Sequence, residues 1–433
     1  MRFLKTIKLF YIMYTIYTIL VLLVSDYQIT YALLGLIGMW LTYAFFWLGS
    51  CSVNSLHTYY AQREDEKNTF PFAKIAEWKN WQYILNAIVC WICAILSARY
   101  YTGQNFLSVI AGVISGGAVY REYQSYFANA GLATFTFAKI PYILMLTFVI
   151  SMLFFGMIGI TQSGKKIKFL QVLYLISVCL SQLYFGAARG TNFETYTVFI
   201  LLAFCFLNRS EGGKERRLNY KAIAIVFILG LIMVFIYRTV ISNRGIEFNN
   251  SICPEISYQS DRFLSIIFPT MTNIVLSVFS YLGYGIYEIG VTFYEIILQS
   301  PFSMLMGCIP TGFDLAYGQS LPLLLGDTID LGARWVPDFV FLLNGLGMFF
   351  YYGVILIVGR YVARIRTKGY PKLLVDLIYA IVFVEMLSIP VGNFLTASTP
   401  NELFVLAVIL WYLKCRLNIR LFNNEKLKKI RWR

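Results

Sequence analysis

The chain has 433 residues, of which 58% are apolar and 13% are charged, and its formal net charge is +14. This composition excludes a soluble globular domain, because long apolar runs recur along the whole length and indicate a polytopic α-helical membrane protein. The positive charge does not indicate nucleic-acid binding, because the basic residues cluster in short loops between apolar runs, where they report membrane topology.

Taken in chain order, ten apolar runs approach the roughly 20 residues that an α-helix needs to cross a bilayer. They predict membrane helices over 7–24, 29–49, 81–98, 137–161, 169–187, 192–207, 221–237, 339–358, 373–390 and 402–416. The first run is predicted to be a retained membrane helix, since no convincing small-residue cleavage site ends it. The whole chain, 1–433, is predicted to form a single integral membrane domain.

Loops rich in lysine and arginine orient these helices. Basic residues concentrate at 165–168, 209–221, 360–372 and after Trp411, which predicts that both termini are cytoplasmic. The basic residues then predicted to face outward are Lys139 and seven arginines, Arg99, Arg121, Arg189, Arg238, Arg244, Arg262 and Arg334. A guanidinium binds phosphate through a planar fork, so this bias favours phosphate recognition, although such arginines can also extend to the membrane interface or pair with carboxylates.

Two predicted outer segments break the alternation of helices and loops. Segment 99–136 has a glycine-rich apolar part and no net crossing, so it is predicted to be re-entrant or interfacial. Segment 238–338 is too long for a plain linker and is predicted to form a large outer loop that is partly membrane-associated. Its apolar part, 263–298, either lies on the membrane or adds a helical pair, which leaves ten or twelve spans open.

The inventory of reactive residues argues against several mechanisms. His57, the only histidine, falls in a predicted cytoplasmic loop, so the outer face lacks an imidazole for acid–base or metal chemistry. Without a phosphate loop or a dinucleotide fingerprint, an ATP-driven pump or a nucleotide-cofactor enzyme is disfavoured, and no cofactor and no metal are predicted. Cys253 and Cys308 both fall in the large outer loop and either form a disulfide or stay apart.

Arg189 is the most informative single residue. It occupies the stretch Gly186, Ala187, Ala188, Arg189, Gly190 between two apolar runs. A charge at that depth is costly unless it is shielded, paired or presented to a charged ligand. Fixed arginines can stabilise the charge on a departing phosphate without a metal, and each charge-assisted contact contributes about 1.5–3 kcal/mol.

Carboxylates at the predicted outer face suit deprotonation of an acceptor hydroxyl. The candidate bases are Glu122, Glu194, Asp338 and Glu385. Glu385 falls inside the ninth predicted span, where a buried carboxylate indicates either function or a structural pairing with an arginine. Tyrosine and tryptophan suit the flat faces of sugar rings, but many of the 32 tyrosines are expected at the membrane interface.

Three features together resemble the Wzy-type oligosaccharide repeat-unit polymerases of bacterial O-antigen, capsule and exopolysaccharide pathways. The turn around Arg189 is similar to a Gly/Ser-x-Arg-Gly turn between two mid-chain helices of that family. Arg121 and Glu122 stand in a non-spanning outer segment before it. The large outer loop ends near Arg334 and Asp338, ahead of the last helices. The pattern covers most of the chain.

The resemblance implies a metal-independent membrane glycosyltransferase of the C-type fold, a bundle of 10 to 12 transmembrane helices with a large outer loop, in the bacterial plasma membrane. Its donor and acceptor would be undecaprenyl-diphosphate-linked glycans, polymerised at the outer face with the lipid diphosphate as leaving group. A chain-length regulator is an open further partner. By motif, Arg189 would bind the diphosphate, helped by Arg121 and Arg334, with Arg244 and Arg262 as further candidates.

Other functions stay open at this point. An O-antigen ligase shares the general architecture but relies on an outer-loop histidine, which this chain lacks. A lipid-linked-oligosaccharide flippase or transporter would also use charges within the membrane, but the long outer segment 238–338 counts against it. A structural or assembly subunit of a polysaccharide export complex is the third alternative.

Overall fold

The computed structural model describes residues 2–52, 75–115, 119–131, 136–163, 166–191, 193–207, 228, 230, 251–253, 256–294, 348–367 and 372–390. The helices in the first half of the chain are α1 (Arg2–Leu22), α2 (Ile29–Cys51), α3 (Asn80–Thr102), α4 (Phe106–Ser115), α5 (Val119–Asn129), α6 (Ile140–Thr161), α7 (Phe169–Arg189) and α8 (Phe193–Leu207). Those in the second half are α9 (Phe263–Ile267), α10 (Pro269–Leu282), α11 (Tyr284–Thr292), α12 (Met348–Thr367) and α13 (Lys372–Ser388).

Five helices in the described part of the chain are long and apolar enough to cross a membrane. They are Phe3–Leu22, Ile29–Cys51, Asn80–Thr102, Phe137–Thr161 and Phe169–Arg189. Each coincides closely with one of the first five predicted spans, so the chain is a multi-pass α-helical membrane protein. The span that ends in α6 is the central one, because 67% of its apolar window is buried inside the protein, more than in the other four.

The remaining predicted spans differ in their outcome. The sixth corresponds to α8, an apolar helix of 15 residues. The eighth corresponds to α12, which continues to Thr367, beyond the predicted end at 358. The helix continues past the predicted membrane span because arginines such as Arg360 and Arg364 do not stop a helix when their side chains extend toward water. The ninth corresponds to α13, and the spans 221–237 and 402–416 fall outside the described residues apart from 228 and 230.

Contacts between α3, α6 and α7 fix the relative directions of these helices. Gln171 in the first turn of α7 donates a hydrogen bond of 2.9 Å to the hydroxyl of Tyr83 in the first turns of α3, so the two helices run parallel. Tyr100 at the end of α3 stacks on Tyr142 at the start of α6, with ring centroids 3.8 Å apart, so α6 runs the opposite way. These directions match the alternation that the basic loops predict.

Contacts between α1, α8 and α13 fix the relative directions of these three helices as well. Phe3 in the first turn of α1 stacks on Tyr379 in the middle of α13, and the hydroxyl of Tyr14, farther along α1, donates to Leu387 near the end of α13, so α1 and α13 run parallel. Tyr196 at the start of α8 donates to the same Leu387 carbonyl, so α8 and α13 run antiparallel. The ends of α1, α3, α7 and α13 and the start of α8 therefore point to the same side of the bundle. We call this end of the bundle the Arg189 end.

Tyrosine hydroxyls satisfy the carbonyl groups that α13 leaves open where it terminates. The last carbonyls of any helix lack intrahelical donors, and in a membrane no water replaces them. Tyr11 donates to the Met386 carbonyl at 3.0 Å, while Tyr14 and Tyr196 both donate to Leu387, at 3.1 and 2.8 Å. These hydrogen bonds join the end of α13 to α1 and α8, so the three helices pack together at the Arg189 end.

Helix α2 packs against α12 at the distance of backbone contact. A Cβ added at Gly49 would overlap the Leu356 carbonyl of α12, and one added at Gly359 would overlap the Phe46 carbonyl of α2. Ser50 crosses the same interface and donates to the Gly359 carbonyl at 3.2 Å. Small residues allow this approach, which is the usual basis of helix association in membranes.

The described part of the second predicted outer segment contains three short helices, α9, α10 and α11, and a small ribbon. α10 has 14 residues and α11 has 9, so neither reaches membrane length alone. Both lie at the Arg189 end, since the Tyr17 hydroxyl of α1 donates to the Val275 carbonyl of α10 and Gly285 of α11 donates to the Pro390 carbonyl. Strands β1 (Ser251–Cys253) and β2 (Ile256–Ser257) pair antiparallel, a small departure from an all-α chain.

The α2–α12 contact gives a stability prediction. We expect Gly359→Ala to lower the free energy of unfolding by about 1–3 kcal/mol, because the methyl group forces two backbones apart. Gly353→Ala is the matched control in the same helix, because no heavy atom lies within 4 Å of its added carbon. It should be neutral or stabilising by up to about 1 kcal/mol. Unfolding in mixed micelles measures both, and equal losses would contradict the close packing.

Candidate functional site

The site is built on the terminal turn of α7. Gly190 ends the helix in the left-handed conformation, with φ 62° and ψ 28°, which glycine adopts without strain. The Gly190 amide donates to the Ala187 carbonyl at 3.0 Å, and the Thr191 amide donates to the Gly186 carbonyl at 2.9 Å. This pair of hydrogen bonds is a Schellman motif. It turns the chain directly into α8 and fixes Arg189 as the last helical residue.

Arg189 forms an ion pair with Glu194 across this turn. The guanidinium Nη1 donates to Glu194 Oε1 at 3.0 Å, and the Thr191 hydroxyl donates to Glu194 Oε2 at 2.8 Å. The arginine lies in the last turn of α7 and the carboxylate in the first turn of α8, so both helix dipoles favour the pair. The carboxylate is almost fully enclosed, with 3% of its side chain exposed, whereas 28% of the Arg189 side chain remains exposed.

Gly186 makes room for the buried carboxylate. A Cβ at this position would lie 2.9 Å from Glu194 Cβ and 2.9 Å from Glu194 Oε2. Real Cβ atoms do not approach other atoms that closely, so a larger residue would displace Glu194. Gly186, the glycine of the predicted arginine turn, therefore leaves the space that Glu194 occupies in the ion pair, one helical turn before Arg189.

Aromatic rings enclose the other sides of the guanidinium. Its central carbon lies 5.3 Å from the centroid of Phe185 and 5.5 Å from that of Tyr123 on α5, within the range of cation–π attraction. Tyr101 at the end of α3 is a further electrostatic neighbour and packs edge-on to Phe185. The rings and Glu194 hold the cation in one orientation, so it is prepared for a ligand before any ligand arrives.

The arrangement suits recognition of an anion. A guanidinium has five N–H donors in a planar fork, and Glu194 is bound through Nη1. The exposed part of the side chain can therefore direct further donors at a phosphate group. Glu194 already accepts at both oxygens, so it is better suited to hold Arg189 than to remove a proton.

Three other predicted site residues lie at the same end of the bundle. Glu122 is exposed on α5, next to Tyr123, and accepts a hydrogen bond of 3.0 Å from Gln104. Glu385 is partly buried in the last turn of α13, whose neighbouring carbonyls bind the tyrosines of α1 and α8. Arg262 is exposed immediately before α9.

The other predicted site residues lie outside the described part of the structure, either wholly or in their side chains. Arg121 belongs to α5 by its backbone, but its side chain is outside the described part of the structure. The same holds for the side chain of Cys253 in β1. Residues wholly outside the described ranges are His57, Arg238, Arg244, Cys308, Arg334 and Asp338. Their roles, and the disulfide between the two cysteines, stay predictions.

The described residues offer no group of three or more histidine, cysteine, aspartate or glutamate side chains that could hold a metal ion. At the end of α7, the described residues instead bring together the Arg189 guanidinium, the Glu194 carboxylate and the aromatic rings around them.

Sequence reasoning did not pair Arg189 with Glu194, nor did it find the roles of Gly186, Thr191 and the aromatic rings. The pairing has a local signal, because a glycine in the left-handed conformation folds residues five apart back on each other. The rings have no such signal, because Tyr101 and Tyr123 come from other helices.

Comparison of the chain with known protein families, curated proteins and solved structures gives no match.

The ion pair gives a second stability prediction. We expect Glu194→Gln to lower the free energy of unfolding by about 3 kcal/mol, because it leaves a largely enclosed cation without its counter-charge. The double variant Arg189→Gln, Glu194→Gln should recover most of that loss, since two neutral amides can hydrogen-bond to each other. A double-mutant cycle in mixed micelles measures the coupling. Additive losses would show that the two side chains do not act as a pair.

Proposed function

We propose that this protein polymerises undecaprenyl-diphosphate-linked oligosaccharide repeat units at the outer face of the bacterial plasma membrane. The observation that supports this proposal most is the Arg189 site. There a partly exposed guanidinium is fixed at a helix end by a buried carboxylate and two aromatic rings. Such a cation can stabilise a lipid diphosphate without a metal ion. The motif resemblance at Arg189 supports the same reaction class.

In the proposed transfer, the bond between the anomeric carbon and the diphosphate oxygen breaks, and the diphosphate departs with the electron pair. The anomeric carbon bonds to a hydroxyl oxygen of the acceptor unit, whose proton passes to a base. Arg189 stabilises the departing diphosphate, since charge accumulates there in the transition state. Glu122, Asp338 and Glu385 are the candidate bases, and Glu194 is the residue that positions Arg189.

The distribution of basic residues supports an outward orientation for the Arg189 end. Described lysines and arginines at the opposite end of the bundle include Lys5, Lys8, Lys79, Lys168, Arg360 and Arg364. Basic residues are retained on the cytoplasmic side of membrane proteins. The Arg189 end then faces the compartment in which exported lipid-linked units are assembled.

Substitution of Arg189 tests the proposal. In a deletion strain complemented with the variant, we expect Arg189→Ala to abolish polymer and leave single-repeat glycan on the surface. Arg189→Lys should reduce polymer about tenfold or more, because the fork geometry is lost and one charge-assisted contact is worth about 1.5–3 kcal/mol. Gel analysis of the polysaccharide gives the chain-length ladder.

Arg360→Ala is the matched control, because Arg360 is an exposed arginine at the opposite end of the bundle. It should leave the ladder unchanged at equal protein level in the membrane. A normal ladder with Arg189→Ala would sink the assignment of the site. Accumulation of lipid-linked units in the cytoplasmic leaflet would instead indicate a flippase or transporter, since transport precedes polymerisation.

A further inference from the structure

A groove of about 610 Å³ opens at the Arg189 end, between the end of α3 and the beginning of α6. Its lining includes Leu96, Arg99, Tyr100, Ala138, Tyr142 and Met145. The stacked rings of Tyr100 and Tyr142 join its two sides. Apolar and aromatic side chains therefore form most of the groove wall, and Arg99 is the cation in the lining.

The apolar part of the groove continues along the surface of α3. Ile84, Ile88, Ile92 and Leu96 are all exposed, between 42% and 51%, and are spaced four residues apart. That spacing places them on one helix face. In a membrane this face lies against lipid, so the groove joins a track on which a long hydrocarbon chain can lie.

The polar part of the groove favours an anion. Arg99 lies in the last turn of α3, its side chain is exposed, and the described lining residues include no carboxylate. An arginine at the end of α3, next to the apolar side chains along that helix, is complementary to a lipid whose headgroup is a phosphate or diphosphate.

The groove and the Arg189 site lie on two sides of the same turn of α3. Tyr100 lines the groove, and the next residue, Tyr101, packs against Phe185 beside Arg189. The two tyrosine rings touch edge-on, with centroids 5.1 Å apart. A polymerase must hold two lipid-linked substrates at once, and this placement puts a second cation near the first.

We propose that the Arg99 groove binds the undecaprenyl diphosphate of the second lipid-linked substrate, with the diphosphate on Arg99 and the polyprenyl chain along α3. This assignment rests on the proposed polymerase function. The assignment gives a role to Arg99 and to the exposed apolar face of α3, neither of which belongs to the Arg189 site.

Binding of undecaprenyl diphosphate tests the assignment without requiring turnover. The purified full chain is titrated with this lipid, and native mass spectrometry counts the lipids bound. Wild type should bind two molecules. Arg99→Ala and Arg189→Ala should each bind one tightly, with the second weakened about tenfold or more, as expected from the loss of one charge-assisted contact.

A second variant separates the groove from a general effect of charge. Ala138→Trp keeps Arg99 but fills the mouth of the groove, because Ala138 is exposed and lines it. It should lose the same lipid as Arg99→Ala. Lys79→Ala removes an exposed cation beside the opposite end of α3 and should bind two lipids like wild type.

The outcomes distinguish this inference from the proposed function. If Arg99→Ala and Ala138→Trp both still bind two lipids, the groove assignment is overturned, whatever Arg189→Ala does. It is also overturned if equal phosphatidylglycerol displaces the Arg99-dependent lipid, because the groove would then hold an ordinary bilayer lipid. If the Arg99-dependent lipid binds but the protein makes no polymer from lipid-linked units, the lipid site stands and the proposed function fails.

Discussion

The absence of water inside the bilayer is the constraint on which this structure depends. Backbone polar groups and charges at membrane depth are costly unless they find partners within the protein. At the end of α13 the partners are tyrosine hydroxyls from α1 and α8. At the end of α7 they are the amides of the Schellman turn and the carboxylate of Glu194. Helix ends therefore join several helices of this bundle, in addition to the close packing of α2 on α12.

The same constraint explains why the Arg189 side chain is paired and largely enclosed. A charge pair of this kind offers little net stability, because desolvation offsets much of the attraction. Its consequence is geometric, since the buried carboxylate and the rings of Phe185 and Tyr123 leave the guanidinium one favourable position. A cation that needs no reorganisation is worth more to a transition state than a mobile one. The burial that makes Arg189 costly also makes it suitable for binding a diphosphate.

The sequence predicts some levels of this structure better than others. The spans that correspond to α1, α2, α3, α6 and α7 follow from apolar runs of bilayer length, so the positions of those runs in the sequence locate them. The extension of α12 to Thr367 was missed because hydropathy reports the membrane boundary and not the helix boundary. Arg189 stood out because a charge between apolar runs is rare. Its partners Tyr101 and Tyr123 did not, since contacts between distant helices depend on packing that periodicity does not encode.

Polymer formation by the purified protein tests most directly whether Arg189 supports transfer between lipid-linked repeat units. Wild type and the paired variant Arg189→Gln, Glu194→Gln would be reconstituted in vesicles with purified undecaprenyl-diphosphate-linked repeat units, and the products separated by length. We expect a ladder from wild type without added metal or nucleotide, and only single units from the folded double variant. A ladder from both proteins, or from neither while wild type moves the units across the vesicle membrane, would contradict this expectation.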